Sequence, residues 1–166
     1  MSTRRLSRVV AGLALVAAAA LPACVHQVVS SSSSAGGAAP GIAPQLTVES
    51  FLRSANCVAS ANCASKAQDL ETMSRLFGTK DGTILNLDPR PNVEKRMYAL
   101  ASLLECQDYK VEGQNIVPGR MGRAVQLVVR MTQGGRAMAV PFTLVRDGAG
   151  NWLVESIDMG PLTQRP

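Results

Sequence analysis

The sequence predicts an α+β domain in which N-terminal helices pack on an antiparallel β-sheet. Between residues 45 and 105, apolar residues recur every three or four positions, which is the spacing that gives an α-helix one apolar face. After Cys106 they alternate with polar residues, as in half-buried strands. Because the helices come first and the strands follow, the arrangement favours helices on one face of a sheet over alternating βαβ units.

Three apolar stripes predict three helices. They consist of Val48, Phe51, Leu52 and Ala55; of Leu70, Met73, Leu76 and Phe77; and of Val93, Met97, Leu100, Ala101 and Leu104. Thr47 and Asp69 are the predicted N-caps of the first two helices, and Gly78 is the predicted end of the second. Pro91 fits the first turn of the third helix. Residues 79–91 are expected to form a loop.

Four strands are predicted after Cys106. Their apolar faces comprise Tyr109 and Val111; Val125, Leu127, Val129 and Met131; Met138, Val140, Phe142 and Leu144; and the alternating residues of the segment 152–158. Gly134-Gly135 is a hairpin signal between the second and third strands. Pro141 has no N–H to donate, so its strand is expected to be an edge strand or to be bulged there.

The first 23 residues read as an export signal. Arg4, Arg5 and Arg8 precede the apolar run from Val9 to Ala20, which is too short to span a bilayer. The segment that ends at Cys24, Leu-Pro-Ala-Cys, resembles the lipobox of bacterial lipoproteins. This resemblance implies that the Cys24 thiol carries lipid and anchors the mature chain to a membrane. The alternative is an ordinary secretory signal with Cys24 as a plain thiol.

Residues 24–44 are rich in serine, glycine, alanine and proline, which predicts a flexible tether. Its root-mean-square reach is about 25 Å. Val25 after the cysteine favours, by resemblance to lipoprotein sorting signals, an outer-membrane location facing the periplasm. The globular domain is therefore expected to cover residues 45–166.

The charge balance argues against a nucleic-acid partner. The formal charge of +5 includes the three arginines of the signal, and without them 14 basic side chains face 12 acidic ones. That balance is too even for a nucleic-acid footprint. A cluster of arginines is interpreted as a solvated sheet face or hairpin end; it comprises Arg120, Arg123, Arg130 and Arg136.

Three cysteines remain in the predicted domain. Cys57 and Cys63 lie in what looks like an insertion between two helices, and an exported chain meets an oxidising compartment. We predict a Cys57–Cys63 disulfide, although Cys106 also allows a bridge to either residue. Cys106 is otherwise interpreted as a small buried hydrophobic residue. No metal site is expected, because the domain has no histidine and no second pair of closely spaced cysteines.

The order of the elements resembles the nuclear transport factor 2-like superfamily, which includes ketosteroid isomerases. The matching segments are Thr47 to Ser54, Asp69 to Gly78, and the ending Asp-Gly-Ala-Gly-Asn-Trp-Leu-Val from Asp147. The resemblance implies helices closing over a curved sheet, a cone-shaped cavity, and a homodimer formed through the sheet. Four residues are candidates to line such a cavity: Tyr98, Tyr109, Trp152 and Asp158.

Two functions follow as alternatives. The only histidine, His26, lies on the tether, so mechanisms that require a histidine are excluded from the domain. We therefore expect a domain without cofactor or catalysis that binds a small apolar ligand or an envelope protein. The alternative is an isomerase or dehydratase that uses an aspartate or tyrosine in an apolar pocket.

The lipobox predicts that Cys24→Ser moves the protein from the membrane fraction to the soluble fraction, because the thiol that would carry the lipid is removed. Cell fractionation measures this, and Cys106→Ser serves as the control that remains in membranes. Full membrane retention of Cys24→Ser would contradict the anchor.

Overall fold

A computed structural model describes residues 43–163. The predicted signal, the Cys24 anchor and the tether up to residue 42 lie outside the described residues. The helices are α1 (Pro44–Ala59), α2 (Lys66–Leu76), α3 (Ile84–Leu87), α4 (Arg90–Leu104) and α5 (Gly160–Thr163). The strands are β1 (Gly78–Thr79), β2 (Gly82–Thr83), β3 (Asp108–Ile116), β4 (Ala124–Gln133), β5 (Arg136–Arg146) and β6 (Trp152–Ile157).

The main sheet is an antiparallel meander in the order β3-β4-β5-β6. Gly134 and Gly135 have φ of +54° and +78°, so the predicted hairpin turn uses two glycines in the left-handed region. Irregular pairing between Val111 and Gly113, and again between Thr143 and Leu144, marks two β-bulges. Since bulges bend strands, the sheet curves around the helices. The predicted α+β class is confirmed.

The core forms where α1, α2 and α4 pack against one face of this sheet, called here the inner face. From Leu127 to Met131 in β4 and from Val140 to Leu144 in β5, every second side chain is buried, as predicted. The largest completely buried side chains come from both layers: Phe51, Leu52, Met73, Met97 and Leu104 from the helices, and Leu127, Met131, Phe142 and Leu144 from the sheet.

Helix α1 runs antiparallel to β3, as three contacts along its length show. Gln45 at its start donates to the Gln114 side chain (2.9 Å), and the Glu49 carbonyl accepts from the Tyr109 hydroxyl (3.3 Å). Near its end, the Asn56 side chain accepts from the Cys106 backbone N–H (2.9 Å). The first described residues therefore lie at the end of the sheet where β3 terminates.

Both predicted helix caps are wrong. Helix α1 begins at Pro44, whose fixed φ suits a first turn, so Thr47 lies inside the helix and is buried. Helix α2 begins at Lys66, which places Asp69 in its first turn. The Asp69 carboxylate accepts hydrogen bonds from the Ser65 hydroxyl (2.7 Å) and the Ser54 hydroxyl (2.8 Å). Asp69 thus joins α2 to α1.

The segment predicted as a loop contains regular structure. Helix α2 ends at Leu76, and Gly78 begins a two-strand hairpin, β1 and β2, that leads into α3. A Cβ atom at Gly78 would lie 2.2 Å from the Gly82 carbonyl oxygen, so the close approach of the two strands requires glycine. Phe77 bridges to Val154 of β6 and ties this hairpin to the main sheet.

Pro141 lies in an interior strand and not in an edge strand, but it occupies a position where no ladder hydrogen bond to its nitrogen is needed, as predicted. It pairs with Val128 of β4 on one side. On the other side β6 ends at Ile157, and the Pro141 carbonyl accepts from the Asp158 N–H (2.9 Å). The proline is tolerated because β6 has ended at the position where its missing N–H would be needed.

Among residues 43–163, no helix has the length and apolar character required to cross a membrane.

Phe142→Ala is expected to lower the free energy of unfolding by about 3–5 kcal/mol, because it leaves a cavity in a completely buried site. Urea denaturation measures the loss. Tyr98→Ala is the matched control, since that side chain is 46% exposed, and we expect a loss below about 1 kcal/mol. Equal losses would contradict the described core.

Candidate functional site

The space where a cone-shaped cavity was expected is occupied by the protein's own side chains. Met73 and Met97 from the helices and Met131 and Phe142 from the sheet are all fully buried. They belong to one continuous cluster with the other inner-face residues. An apolar molecule could enter this space only by displacing packed side chains.

The four candidate cavity residues do not converge. Tyr109 lies on β3 and Asp158 follows β6, so they lie at opposite edges of the sheet. Tyr98 lies on α4 and is exposed, whereas Trp152 begins β6 and is buried. An aspartate–tyrosine acid–base site would require these groups within hydrogen-bond reach of one substrate.

Tyr109 is a structural tyrosine. Its hydroxyl donates to the Glu49 carbonyl on α1, and burial is the main cause that raises the pKa of this hydroxyl. The hydroxyl therefore stays protonated at neutral pH, and its proton forms the hydrogen bond that joins β3 to α1. An oxyanion site would need that proton directed at a substrate.

Strict alternation over the segment 152–158 predicts that Asp158 shares a strand face with Trp152 and Val154, and this prediction is wrong. A bulge in β6 makes Ser156, rather than Glu155, pair with Thr143, and this shifts the alternation of the strand by one residue. Ile157 then takes the inner-face position opposite Phe142. Asp158 is exposed, and its carboxylate accepts from the Gly160 N–H (2.9 Å) at the start of α5.

Tyr98 borders a small cleft of about 180 Å³ between α2 and α4. The cleft is lined by ion-paired side chains: Glu71 contacts Arg75 (2.7 Å) and Arg90 (3.2 Å), and Arg90 also contacts Glu94 (3.0 Å). The hydrogen bond from Arg75 is the main cause that lowers the pKa of Glu71. Glu71 is therefore ionised and poorly suited to act as a general base at neutral pH.

Trp152 is covered by a cation. The Arg146 guanidinium carbon lies 4.7 Å from the centre of the indole ring, a cation–π distance. The Arg146 Nε is buried and has no hydrogen-bond partner among the described residues. Trp152 is therefore buried at one end of the inner face, where Arg146 covers its ring.

The Cys57–Cys63 disulfide prediction is confirmed. The two residues are bridged with a Cα–Cα distance of 5.3 Å, and Cys106 is the free cysteine of the described residues. Their sulfur atoms and a carboxylate oxygen of Asp69 lie within 4.8 Å of one another. Because metals bind thiolates, the disulfide leaves this group without its two sulfur ligands.

Cys106 borders a second cleft, of about 330 Å³, at the junction of α4 and β3. Burial is the main cause that raises the pKa of its thiol, and the charges of Asp108 and Glu105 add to it. A hydrogen bond from the Asn56 side chain (3.5 Å) opposes the shift. The thiol is therefore a poor nucleophile at neutral pH.

The opposite surface of the sheet, called here the outer face, is the one that the helix layer leaves uncovered. The register aligns residues of β3, β4 and β5 side by side on this face, in rows that cross the three strands. The rows combine small and polar residues: Gly113, Val128 and Pro141; Lys110, Arg130 and Ala139; and Asp108, Thr132 and Ala137. Ala137 and Ala139 are exposed. Arg130 pairs with Glu112 (2.6 Å), which neutralises its charge.

The sequence indicated the sheet as a dimer surface only through the family resemblance, and it assigned no residues of the outer face to that role. The available signal was Ala137 and Ala139, small apolar residues at alternating positions where a solvated strand commonly carries longer polar ones. The predicted arginine cluster is partly paired: Arg120 makes two hydrogen bonds to Glu155 (2.5 and 2.9 Å), and Arg130 contacts Glu112.

Comparisons with known proteins add a distant structural likeness. No protein-family model and no curated protein matches the chain. A solved structure described as an NTF2-like protein of unknown function from Cytophaga hutchinsonii is similar with 12% identity and a TM-score of 0.38. The match covers 76% of this chain and all of that one. A likeness at this TM-score carries no argument about function.

Cys106 is expected to react with iodoacetamide more slowly than an exposed cysteine, with a rate that rises only above the ordinary pKa of a thiol. The physical reason is the raised pKa, which keeps the thiol protonated at neutral pH. Alkylation rates measured from pH 7 to pH 10 by mass spectrometry test this, with urea-unfolded protein as the control. A native rate equal to the unfolded rate would contradict it.

Proposed function

We propose that this protein is a lipid-anchored envelope lipoprotein whose domain acts by binding another protein and not by catalysis. The anchor is proposed from the lipobox at Cys24, and the outer membrane facing the periplasm from Val25. The single observation that supports the binding role is that the protein's own side chains fill the inner face. Recognition of a partner is therefore proposed to occur on the surface of the domain.

The geometry offers little support for the isomerase-like alternative. Such a mechanism needs a carboxylate in an apolar pocket beside hydrogen-bond donors for a developing oxyanion. Here Asp158 is exposed, and the Tyr109 hydroxyl is bonded to a backbone carbonyl. A small apolar ligand is disfavoured for a different reason, because completely buried methionines and phenylalanines occupy the space it would need.

The outer face is the proposed binding surface, and a second copy of this chain is the proposed partner. The face presents small side chains at Ala137, Ala139 and Gly113, so another sheet can approach it closely. Its ion pair between Glu112 and Arg130 leaves no unpaired charge at that position to be desolvated. Anchoring two chains in one membrane raises their effective concentration, so a weak interface suffices.

Ala139→Glu is expected to dissociate the dimer, because it introduces a carboxylate at the centre of the outer face. The fold should persist, since Ala139 is exposed on its strand and a larger side chain there meets solvent. Native mass spectrometry of the full protein released from membranes measures the oligomeric state and any retained small molecule.

Ser102→Glu, an exposed change on α4, is the matched control and should leave the dimer intact. A wild-type monomer would refute a second copy as the partner. Additional mass that leaves on denaturation would instead favour a bound ligand and contradict the filled inner face.

A further inference from the structure

The connection between β3 and β4 exposes apolar side chains to an unusual degree. Residues 117–123, called here the β3–β4 loop, contain Met121, which is 77% exposed, and follow Ile116, which is 69% exposed. These are the two most exposed large apolar side chains of the described residues. Ile116 directly precedes the loop and Met121 lies within it, so both belong to one connection at one end of the sheet.

In the sequence, the charged residues nearest to Met121 are all positive. No aspartate or glutamate occurs between Glu112 and Asp147, whereas Arg120 and Arg123 flank Met121. Arg120 is held by Glu155 of β6, which fixes the loop across the outer face at this end of the sheet. Arg123 is exposed, and its backbone carbonyl accepts from the Arg146 N–H (2.9 Å).

The chain enters the described structure at this same end. The hydrogen bond between Gln45 and Gln114 places the start of α1 beside the last residues of β3. Leu46, on the first turn of α1, is 53% exposed and adds a third apolar side chain. The tether predicted from residues 24–44 would therefore join the domain at the end that carries Ile116 and Met121.

We propose that this end of the domain docks on a phospholipid membrane surface. Met121 and Ile116 enter the boundary between headgroups and acyl chains, and the Arg123 guanidinium pairs with lipid phosphate. Apolar side chains accompanied by cations are the combination that interfacial membrane segments use. The inference rests on the proposed lipid anchor and adds to it a defined orientation of the domain.

Because the tether holds the domain near the membrane, a contact made by only a few side chains is sufficient for docking. Two apolar side chains and one guanidinium would bind vesicles weakly from solution. A short flexible linker raises the effective concentration of the surface to roughly the millimolar range, so docking becomes an intramolecular equilibrium. Docking at this end would also hold the rest of the outer face at a fixed angle to the membrane, which favours pairing between anchored copies.

Tryptophan fluorescence in vesicles tests this orientation. The full lipid-bearing chain with Met121→Trp, in which Trp152→Phe removes the native tryptophan, is reconstituted in phosphatidylethanolamine–phosphatidylglycerol vesicles, with and without brominated acyl chains; the Leu103 variant carries the same Trp152→Phe change. Leu103→Trp is the matched control, because Leu103 is 45% exposed and its carbonyl accepts from Gln133 at the other end of β4. Bromine quenching is expected to be about twofold or more stronger at position 121 than at position 103.

Charge reversal provides the second comparison. Arg123→Glu, combined with Met121→Trp, should reduce the quenching, whereas Lys110→Glu, near the start of β3 and far from the β3–β4 loop, should not. Equal quenching at positions 103 and 121, or quenching unchanged by Arg123→Glu, would overturn the docking proposal. Vesicle flotation is scored in the same samples: a chain that fails to float refutes the anchor and the docking together, whereas one that floats without quenching refutes the docking alone.

Discussion

The packing of three helices on the inner face of one curved sheet is the constraint on which the rest of this structure depends. Methionine, leucine and phenylalanine side chains from both layers are completely buried there. Close packing of this kind leaves no space for a ligand and excludes water from the interior. The polar groups that could do chemistry are consequently left at the edges of the domain, where they serve structural roles.

Those roles explain why the titratable groups are arranged as they are. Asp69 accepts hydrogen bonds from two serines and joins α2 to α1, and the Tyr109 hydroxyl joins β3 to α1. Arg120 reaches Glu155 and fixes a loop that would otherwise be free. In each case a polar group connects two elements of the fold. An active site would instead leave such groups directed at an empty pocket.

The surface is therefore the part of the molecule available for function, and it is not uniform. The outer face carries small residues and a neutralised ion pair, which suits the approach of another sheet. One end of that sheet carries exposed Ile116 and Met121 beside Arg123 and the start of α1. The proposed protein-binding face and the proposed membrane-facing end are compatible on one small domain, because docking at the end would leave the remaining face accessible to a second copy.

The sequence by itself predicted the α+β class, the three long helices and the four strands of the main sheet, and it favoured the Cys57–Cys63 pairing, because periodicity and short-range spacing are local properties. It could not place Asp158, since one bulge in β6 shifts the strand alternation and turns that carboxylate to solvent. Nor could it show whether the inner face was open, because the same stripe of methionines can line a cavity or fill it. Only the tertiary packing decided this, since the volume between layers depends on how side chains distant in sequence meet.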